Sequence, residues 1–257
     1  MNSIEVTRNG NVATVMLNRP DKLNALNDEM KDTLAQVFGE LSADDSVNVI
    51  LLTAAGRGFC AGGDVATMGG LSALGAKKRI RRAQQVVVSL ANVEKPVIAA
   101  VRGPVAGIGW SMALACDLII ASETATFHQS FAKIGLVPDG GAVFFLNHIL
   151  GTYRAKELVY TARPTKARDA LALGLVNRVV ADADLETEAA SLAGELAQGP
   201  GFALSMAKRM FKTLQLPSLE NFIETECWAQ SLTLMTEDHQ EGGKAFREKR
   251  APKFEGK

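Results

Sequence analysis

Twice in the first half of the sequence, a run of aliphatic and β-branched residues passes straight into glycines and then into a segment of helical periodicity. The first unit is 47–53 (VNVILLT), a loop over 56–70 with six glycines, and a helix over 76–92. The second is 96–101, a glycine-rich loop over 103–109, and a helix over 110–116. Short apolar runs bounded by turn residues read as strands buried on both faces. Parallel strands need long crossovers, normally helices, so the pattern confines the chain to an α/β architecture.

The remaining segments fit that frame. Residues 4–7 and 12–18 alternate as strands around Asn9-Gly10-Asn11, a hairpin signal. Asn27 reads as the N-cap of a helix carrying Met30, Leu34, Val37, Phe38 and Leu41 at helical spacing. Further strands are expected at 118–121, 124–128 and 176–180. Helices are expected from 141 to about 150, at 152–161 and at 166–173, with Gly135–Gly141 as a turn. Beyond Asp184 only helical periodicity appears, broken at Gly199-Pro200 and near Pro217. The expected organisation is an α/β core over 1–195 and a helical region over 196–257.

The chain has 257 residues, 28 basic and 28 acidic side chains, and is 47% hydrophobic. That length buries a sizeable core without disulfide or metal staples. Zero net charge removes the electrostatic footprint of a nucleic-acid binder. Cys60, Cys116 and Cys227 are widely spaced, and His128, His148 and His239 form no cluster with them, which argues against a disulfide framework or zinc site. The polar start MNSIEVTRNG is unlike a signal peptide, and the longest apolar stretches are too short to span a bilayer. A cytoplasmic protein with no membrane partner is the expectation.

Glycines let a backbone turn sharply and approach a ligand, and a helix start offers free N–H groups. Phe59-Cys60-Ala61-Gly62-Gly63-Asp64 and Gly103-Pro104-Val105-Ala106-Gly107-Ile108-Gly109 can therefore be tight turns or anion-stabilising donors. Competing motifs fit worse. Met112 occupies the third glycine position of a dinucleotide fingerprint, and no Gly-Lys-Ser/Thr follows either loop. Gly109-Trp110-Ser111-Met112-Ala113 approximates a nucleophile elbow, with Asp139 and His148 downstream as a minor hydrolase alternative.

Four segments together resemble the enoyl-CoA hydratase/isomerase, or crotonase, superfamily over nearly the whole chain. They are Asn18-Arg19-Pro20 with Lys22-Leu23-Asn24-Ala25-Leu26; Phe59–Asp64; Val101–Gly107 running into Ala115-Cys116-Asp117; and Phe127-His128-Gln129 through Gly135-Leu136-Val137-Pro138-Asp139-Gly140-Gly141. The resemblance implies a crotonase (ClpP/crotonase-like) spiral of ββα units with a C-terminal helical trimerisation region, assembling as a homotrimer or a hexamer. It implies an acyl-CoA thioester substrate and no cofactor, coenzyme A being part of the substrate. It assigns the two oxyanion N–H groups to Gly63 and Ile108, and the coenzyme A groove to Lys22, Ala25, Ala61, Asp64 and Val65. The run 245–250 resembles a tail that reaches a neighbouring subunit's coenzyme A, with Lys249 as its contact; alone it also reads as a solvated amphipathic helix.

Two positions depart from the hydratase pattern. Where such enzymes carry their two glutamates, this chain has Ser111 and Phe131, neither of which is a base at neutral pH. Asp139 matches an aspartate of the isomerase branch, although Pro-Asp-Gly by itself signals a turn or N-cap. Phe131, with Phe127, Trp110 and Phe144, is expected to form an apolar acyl pocket that raises the pKa of Asp139. The expected activity is double-bond or ring-epoxide isomerisation through a stabilised enolate. Hydration or other lyase chemistry by a non-standard base, and a non-catalytic acyl-CoA binder, are the alternatives.

Overall fold

The structure, a computed structural model, describes residues 2–64, 72–213 and 219–255. Strands β1 (Ile4–Asn9) and β2 (Val12–Leu17) form the expected hairpin, pairing antiparallel from Ile4 with Leu17 to Asn9 with Val12. Helix α1 (Asp28–Ala43) starts where the sequence predicts, because the Asn27 side chain accepts the Met30 N–H at 2.9 Å. Strand β3 (Val49–Ala54) follows, then helix α2 (Ala73–Ala91) and strand β4 (Val97–Val101).

The loop expected over 103–109 is more structured than its glycines suggest. It contains a three-residue strand, β5 (Pro104–Ala106), and helix α3 begins earlier than predicted (Ile108–Leu114). Strands β6 (Leu118–Ser122) and β7 (Thr126–His128) come next, then a 3-10 turn at Ser130–Ile134 and helices α4 (Ala142–Leu150) and α5 (Thr152–Thr161). A two-residue strand missed in the sequence, β8 (Thr165–Lys166), precedes α6 (Ala167–Ala172) and β9 (Arg178–Val180). Four helices complete the chain: α7 (Leu185–Ala197), α8 (Gly201–Thr213), α9 (Leu219–Thr233) and α10 (Glu237–Glu248). The break expected near Pro217 lies outside the described residues.

Two sheets result. The larger runs β1-β2-β3-β4-β6-β9, parallel beyond its opening hairpin, and the smaller runs β5-β7-β8. The chain alternates between them, β4 to β5 and β6 to β7, with α3 between the two pairs. The period-two rule explains how the large sheet is covered on both faces. Ile50 and Leu52 of β3 enter the main core with Leu34 and Phe38 of α1. Val49 and Leu51 face the other way, onto Leu185, Ala189 and Leu192 of α7.

The C-terminal helices divide their apolar residues between the core and the surface. Ile223 is buried in the main core, and Phe222 packs on it with its ring 5.9 Å from that of Phe144. Phe211 and Trp228 stay exposed, as do Phe202 and Tyr153. Leu214, Leu216 and the Leu219 side chain lie outside the described residues. No helix among the described residues is long and apolar enough to cross a membrane.

Candidate active site

The two glycine loops lie backbone against backbone. Cys60 N–H donates to Pro104 O at 3.1 Å and Ala106 N–H returns to Cys60 O at 2.8 Å, so the first loop adds a bridge to the edge of β5. Gly109 makes the approach possible. A Cβ there would stand 2.6 Å from Cys60 Cβ and 2.8 Å from Cys60 O, a contact no side chain could relieve. Beneath the first loop, Asn24 is fully buried with φ near 55°, a conformation asparagine tolerates better than most residues. Its amide donates to Ala55 O at 2.9 Å and Gly58 O at 2.8 Å, while its oxygen accepts Arg19 N–H at 2.7 Å.

Backbone pairing uses some of the N–H groups around the two loops: Asp64 N–H donates to Leu26 O at 3.0 Å and Gly107 N–H to His128 O at 3.1 Å. Among the described residues, the Gly63 and Ile108 N–H groups have no protein acceptor, and both residues line one cavity of about 300 Å³. Ile108 opens α3, so its N–H is one of the unpaired donors of a helix start.

Asp139 reaches the same cavity from the turn before α4. Gly140 and Gly141 both take positive φ, 64° and 74°. The turn is held on three sides. Ser111 Oγ donates to Asp139 O at 2.8 Å. Gly141 N–H donates to Glu226 of α9, at 2.8 Å to Oε2 and 3.1 Å to Oε1. Gln84 of α2 donates to the same carboxylate at 3.2 Å. One turn along α9 from Glu226, Gln230 lies beside the Asp139 carboxyl and favours its ionised form, while Asp139 Oδ1 has no hydrogen-bond partner. The turn also presses on α3: a Cβ at Gly140 would lie 2.4 Å from Ile108 Cδ1 and 2.8 Å from Ser111 Cβ.

Burial pushes the Asp139 carboxyl up to about 6, against the opposing pull of Lys31, Arg79 and Gln230. Burial, with the Asp139 charge nearby, raises Glu226 to about 8, although Gln84 and the backbone N–H groups of Gly141 and Gly140 favour its ionised form. A carboxyl group near 6 can both take and return a proton close to neutral pH.

The cavity gathers part of the residue set that the sequence singles out. Ala61, Gly63, Ile108, Phe131 and Asp139 line it. Lys22 and Ala25 lie beside the first loop but not on the wall, and Ala25 O instead accepts the Arg19 guanidinium at 3.0 Å. Asp64 is held by Arg19 Nη1 at 2.8 Å. Lys249 is exposed at the C-cap of α10, away from the cavity within this chain. Val65 lies outside the described residues.

Two expectations fail on packing. Of the four aromatic residues expected to form an acyl pocket, only Phe131 lines the cavity. Trp110 and Phe127 pack on each other, ring centroids 5.4 Å apart, in the main core, where Phe144 also lies. The hydrolase arrangement is absent: Ser111 bonds the carbonyls of Asp139 and Gly107, while the ring of His148 bonds Phe144 O at 2.9 Å.

Four polar residues of the site went unnoticed in the sequence: Lys31, Arg79, Glu226 and Gln230. A signal exists for three of them. Lys31 precedes Leu34, Phe38 and Leu41 at the spacing of the inward face of α1, and its relative exposure is 1%. Glu226 and Gln230 share a face of α9 with Ile223 and Leu234. A polar residue inside an apolar stripe is the readable mark of such a role.

The chain belongs to the enoyl-CoA hydratase/isomerase family, whose profile matches residues 7–257. Members act on coenzyme A thioesters, and the fold is that of the crotonases. The chain is 38% identical over 251 residues to the 1,2-epoxyphenylacetyl-CoA isomerase of Escherichia coli, covering 96% of this chain and 95% of that protein. It is 34% identical to the short-chain-enoyl-CoA hydratase of Clostridium acetobutylicum, over 100% of this chain and 98% of that one. Among solved structures, an enoyl-CoA hydratase from Mycobacterium avium subsp. paratuberculosis superposes with a TM-score of 0.91 at 34% identity, covering 99% of each chain.

Proposed function

We propose that the protein isomerises acyl-CoA thioesters, with Asp139 as the proton shuttle. The observation that carries this reading is that Asp139 is the one carboxylate lining the cavity among the described residues. The thioester oxygen accepts the N–H groups of Gly63 and Ile108, which stabilise the negative charge that develops when a carbon-bound proton leaves. Asp139 takes that proton and, now neutral, returns it to a different carbon. The double bond shifts and the enzyme ends as it began. The same pair of steps serves opening of a ring-epoxide to an expanded ring, the reaction class suggested by the name of the Escherichia coli relative. Ser111 and Phe131, at the positions of the hydratase glutamates, supply no base to activate water.

Lys22, Ala25, Ala61 and Asp64 are proposed to border the coenzyme A moiety, with Lys249 acting on a neighbouring subunit. The exposed Phe202, Phe211 and Trp228 are the proposed trimer or hexamer surface. A stable monomer of 27.4 kDa in light scattering would overturn that assembly.

The deciding experiment compares wild type and Asp139→Asn on 2-enoyl-, 3-enoyl- and epoxide-bearing thioesters in deuterated water. Loss of the shuttle is expected to cost roughly a hundred- to ten-thousandfold in turnover and to abolish exchange of a substrate carbon-bound proton, while thioester affinity changes little. Unchanged exchange in a folded Asp139→Asn protein returns Asp139 to a turn residue. Efficient hydration of 2-enoyl thioesters by wild type, without isomerisation, establishes a lyase with another base. No turnover of any of them, with binding intact, leaves an acyl-CoA-binding protein.

A further inference from the structure

Lys31 is a buried ionisable group for which the proposed proton transfer has no use. Its side chain is 2% exposed, yet it lines the cavity rather than the surface. Among the described residues its ammonium makes one hydrogen bond of the three it can donate, to Asp28 Oδ1 at 2.9 Å. A buried ammonium with unused donors is costly unless something supplies acceptors. Arg79 of α2 reaches the same wall, with Nη2 3.4 Å from Asp64 O.

The charges around Lys31 are divided by depth. On α1, Asp28 faces it and is 44% exposed, sharing its other oxygen with Arg82 of α2 at 2.7 Å. Asp32, 60% exposed, takes the Arg82 Nε at 2.9 Å. These carboxylates sit on the solvent side, where water weakens their field, whereas Lys31 and Arg79 sit on the cavity side, where it is strong. Among the described residues, the charged side chains on the cavity wall are Lys31, Arg79, Lys133 and Asp139, three cations to one anion. Lys133 is exposed at the mouth, which leaves Lys31 and Arg79 as the inner cations. The one anion makes no ion pair with Lys31: the ammonium pairs with Asp28, while Asp139 keeps an oxygen without a hydrogen-bond partner. Each time Asp139 carries the proton, the charged side chains left on the described wall are cations, with Asp28 and Asp64 acting on Arg79 from outside it.

We propose that the cavity selects coenzyme A thioesters whose acyl group carries a carboxylate at the end remote from the thioester, received by Lys31 with Arg79 beside it. An anionic end supplies both the acceptors that the ammonium lacks and the charge that the wall lacks. A plain hydrocarbon end supplies neither, and a neutral oxygen supplies only the first. The assignment rests on the acyl-CoA reading of the site and adds the substrate class to it.

The test measures binding by calorimetry on the full-length wild-type protein, using saturated thioesters that cannot be isomerised. Succinyl-, glutaryl- and adipyl-CoA are compared with butyryl-, valeryl- and hexanoyl-CoA, and with the ω-hydroxy derivatives of the latter three. At the chain length that reaches Lys31, the carboxylate is expected to bind roughly ten- to a hundredfold tighter than both neutral partners. Lys31→Met is expected to erase that advantage, read as the ratio of carboxylate to hydrocarbon affinity within the variant itself. Equal or weaker binding of the carboxylates at every length in wild type overturns the proposal, whether or not the variant folds. An equal gain from the ω-hydroxyl group replaces the anion with a neutral oxygen and overturns it too. An advantage that survives in a folded Lys31→Met protein removes Lys31 from the assignment. If no thioester of either kind binds, it is the acyl-CoA site itself that fails, and the two failures are thereby told apart.

Discussion

The two halves of the site are built by different means. The half formed by the glycine loops presents backbone N–H groups, and what holds them is backbone too: bridges between Cys60 and Val105 and between Leu26 and Gly63, with Asn24 beneath. The half that carries Asp139 presents a side chain, held by side chains of three helices: Ser111 of α3, Gln84 of α2 through Glu226, and Glu226 and Gln230 of α9. A backbone donor needs no particular side chain and titrates with nothing. A buried carboxylate has an acidity set by whatever surrounds it. The first half fixes where charge is received, and the second is where acidity is tuned.

The sharpest way to break this contrast is Gly63→Pro, which removes one N–H outright. Turnover is expected to fall roughly a hundred- to a thousandfold. A folded Gly63→Pro protein with near-normal turnover would show that the backbone half does not receive the charge.

Next in size is an effect on stability that only the side-chain half can give. In the folded protein Asp139 titrates at about 6, against 3.8 when free, so the native state holds this proton more tightly than the unfolded chain. That contribution is complete below about pH 4 and is lost as the pH rises through 6. Asp139→Asn should therefore be more stable than wild type by about 3 kcal/mol at pH 8, the difference closing toward pH 4. Denaturant melts at the two pH values measure it, and equal stability at pH 8 would mean that burial does not strain the carboxylate.

A smaller loss is expected from Glu226→Ala, which leaves the Gly141 N–H without its acceptor and the Gln84 amide with Ile223 O alone, at about 1–3 kcal/mol. Glu226→Gln keeps an acceptor and should lose less, so the ranking of the two by thermal melting tests the clamp. The smallest expected effect is at Glu224, two residues away on α9, whose pair with Arg81 at 3.1 Å is exposed and screened by water. Glu224→Ala should leave turnover unchanged. A drop there equal to that of Glu226→Ala would point to a general loosening of α9.

The same division explains what could be read from the sequence. The Asn27 cap, the hairpin around Gly10 and the loops about Gly63 and Ile108 rest on local spacing, and local spacing is what a sequence displays. Glu226 meets Gly141 across 85 positions and Gln84 across 142, so only the fold brings them together. Strands β5 and β8 were missed because runs of three and two residues carry no alternation to detect. The aromatic pocket was misread for a different reason. Trp110 and Phe127 are apolar enough for either a cavity wall or a core, and hydrophobicity alone does not separate the two.

The contact between Gly140 and α3 bears on how such a site can change over time. The turn lies so close to Ser111 that even one carbon added at Gly140 would collide with it. The serine hydroxyl is itself engaged with the Asp139 carbonyl. A glutamate at 111 would forfeit that bond and drive its longer chain into the space the turn fills. Ser111→Glu alone is therefore expected to displace the turn and Asp139 with it, so exchanging one acid for the other asks the backbone to move as well as the side chains.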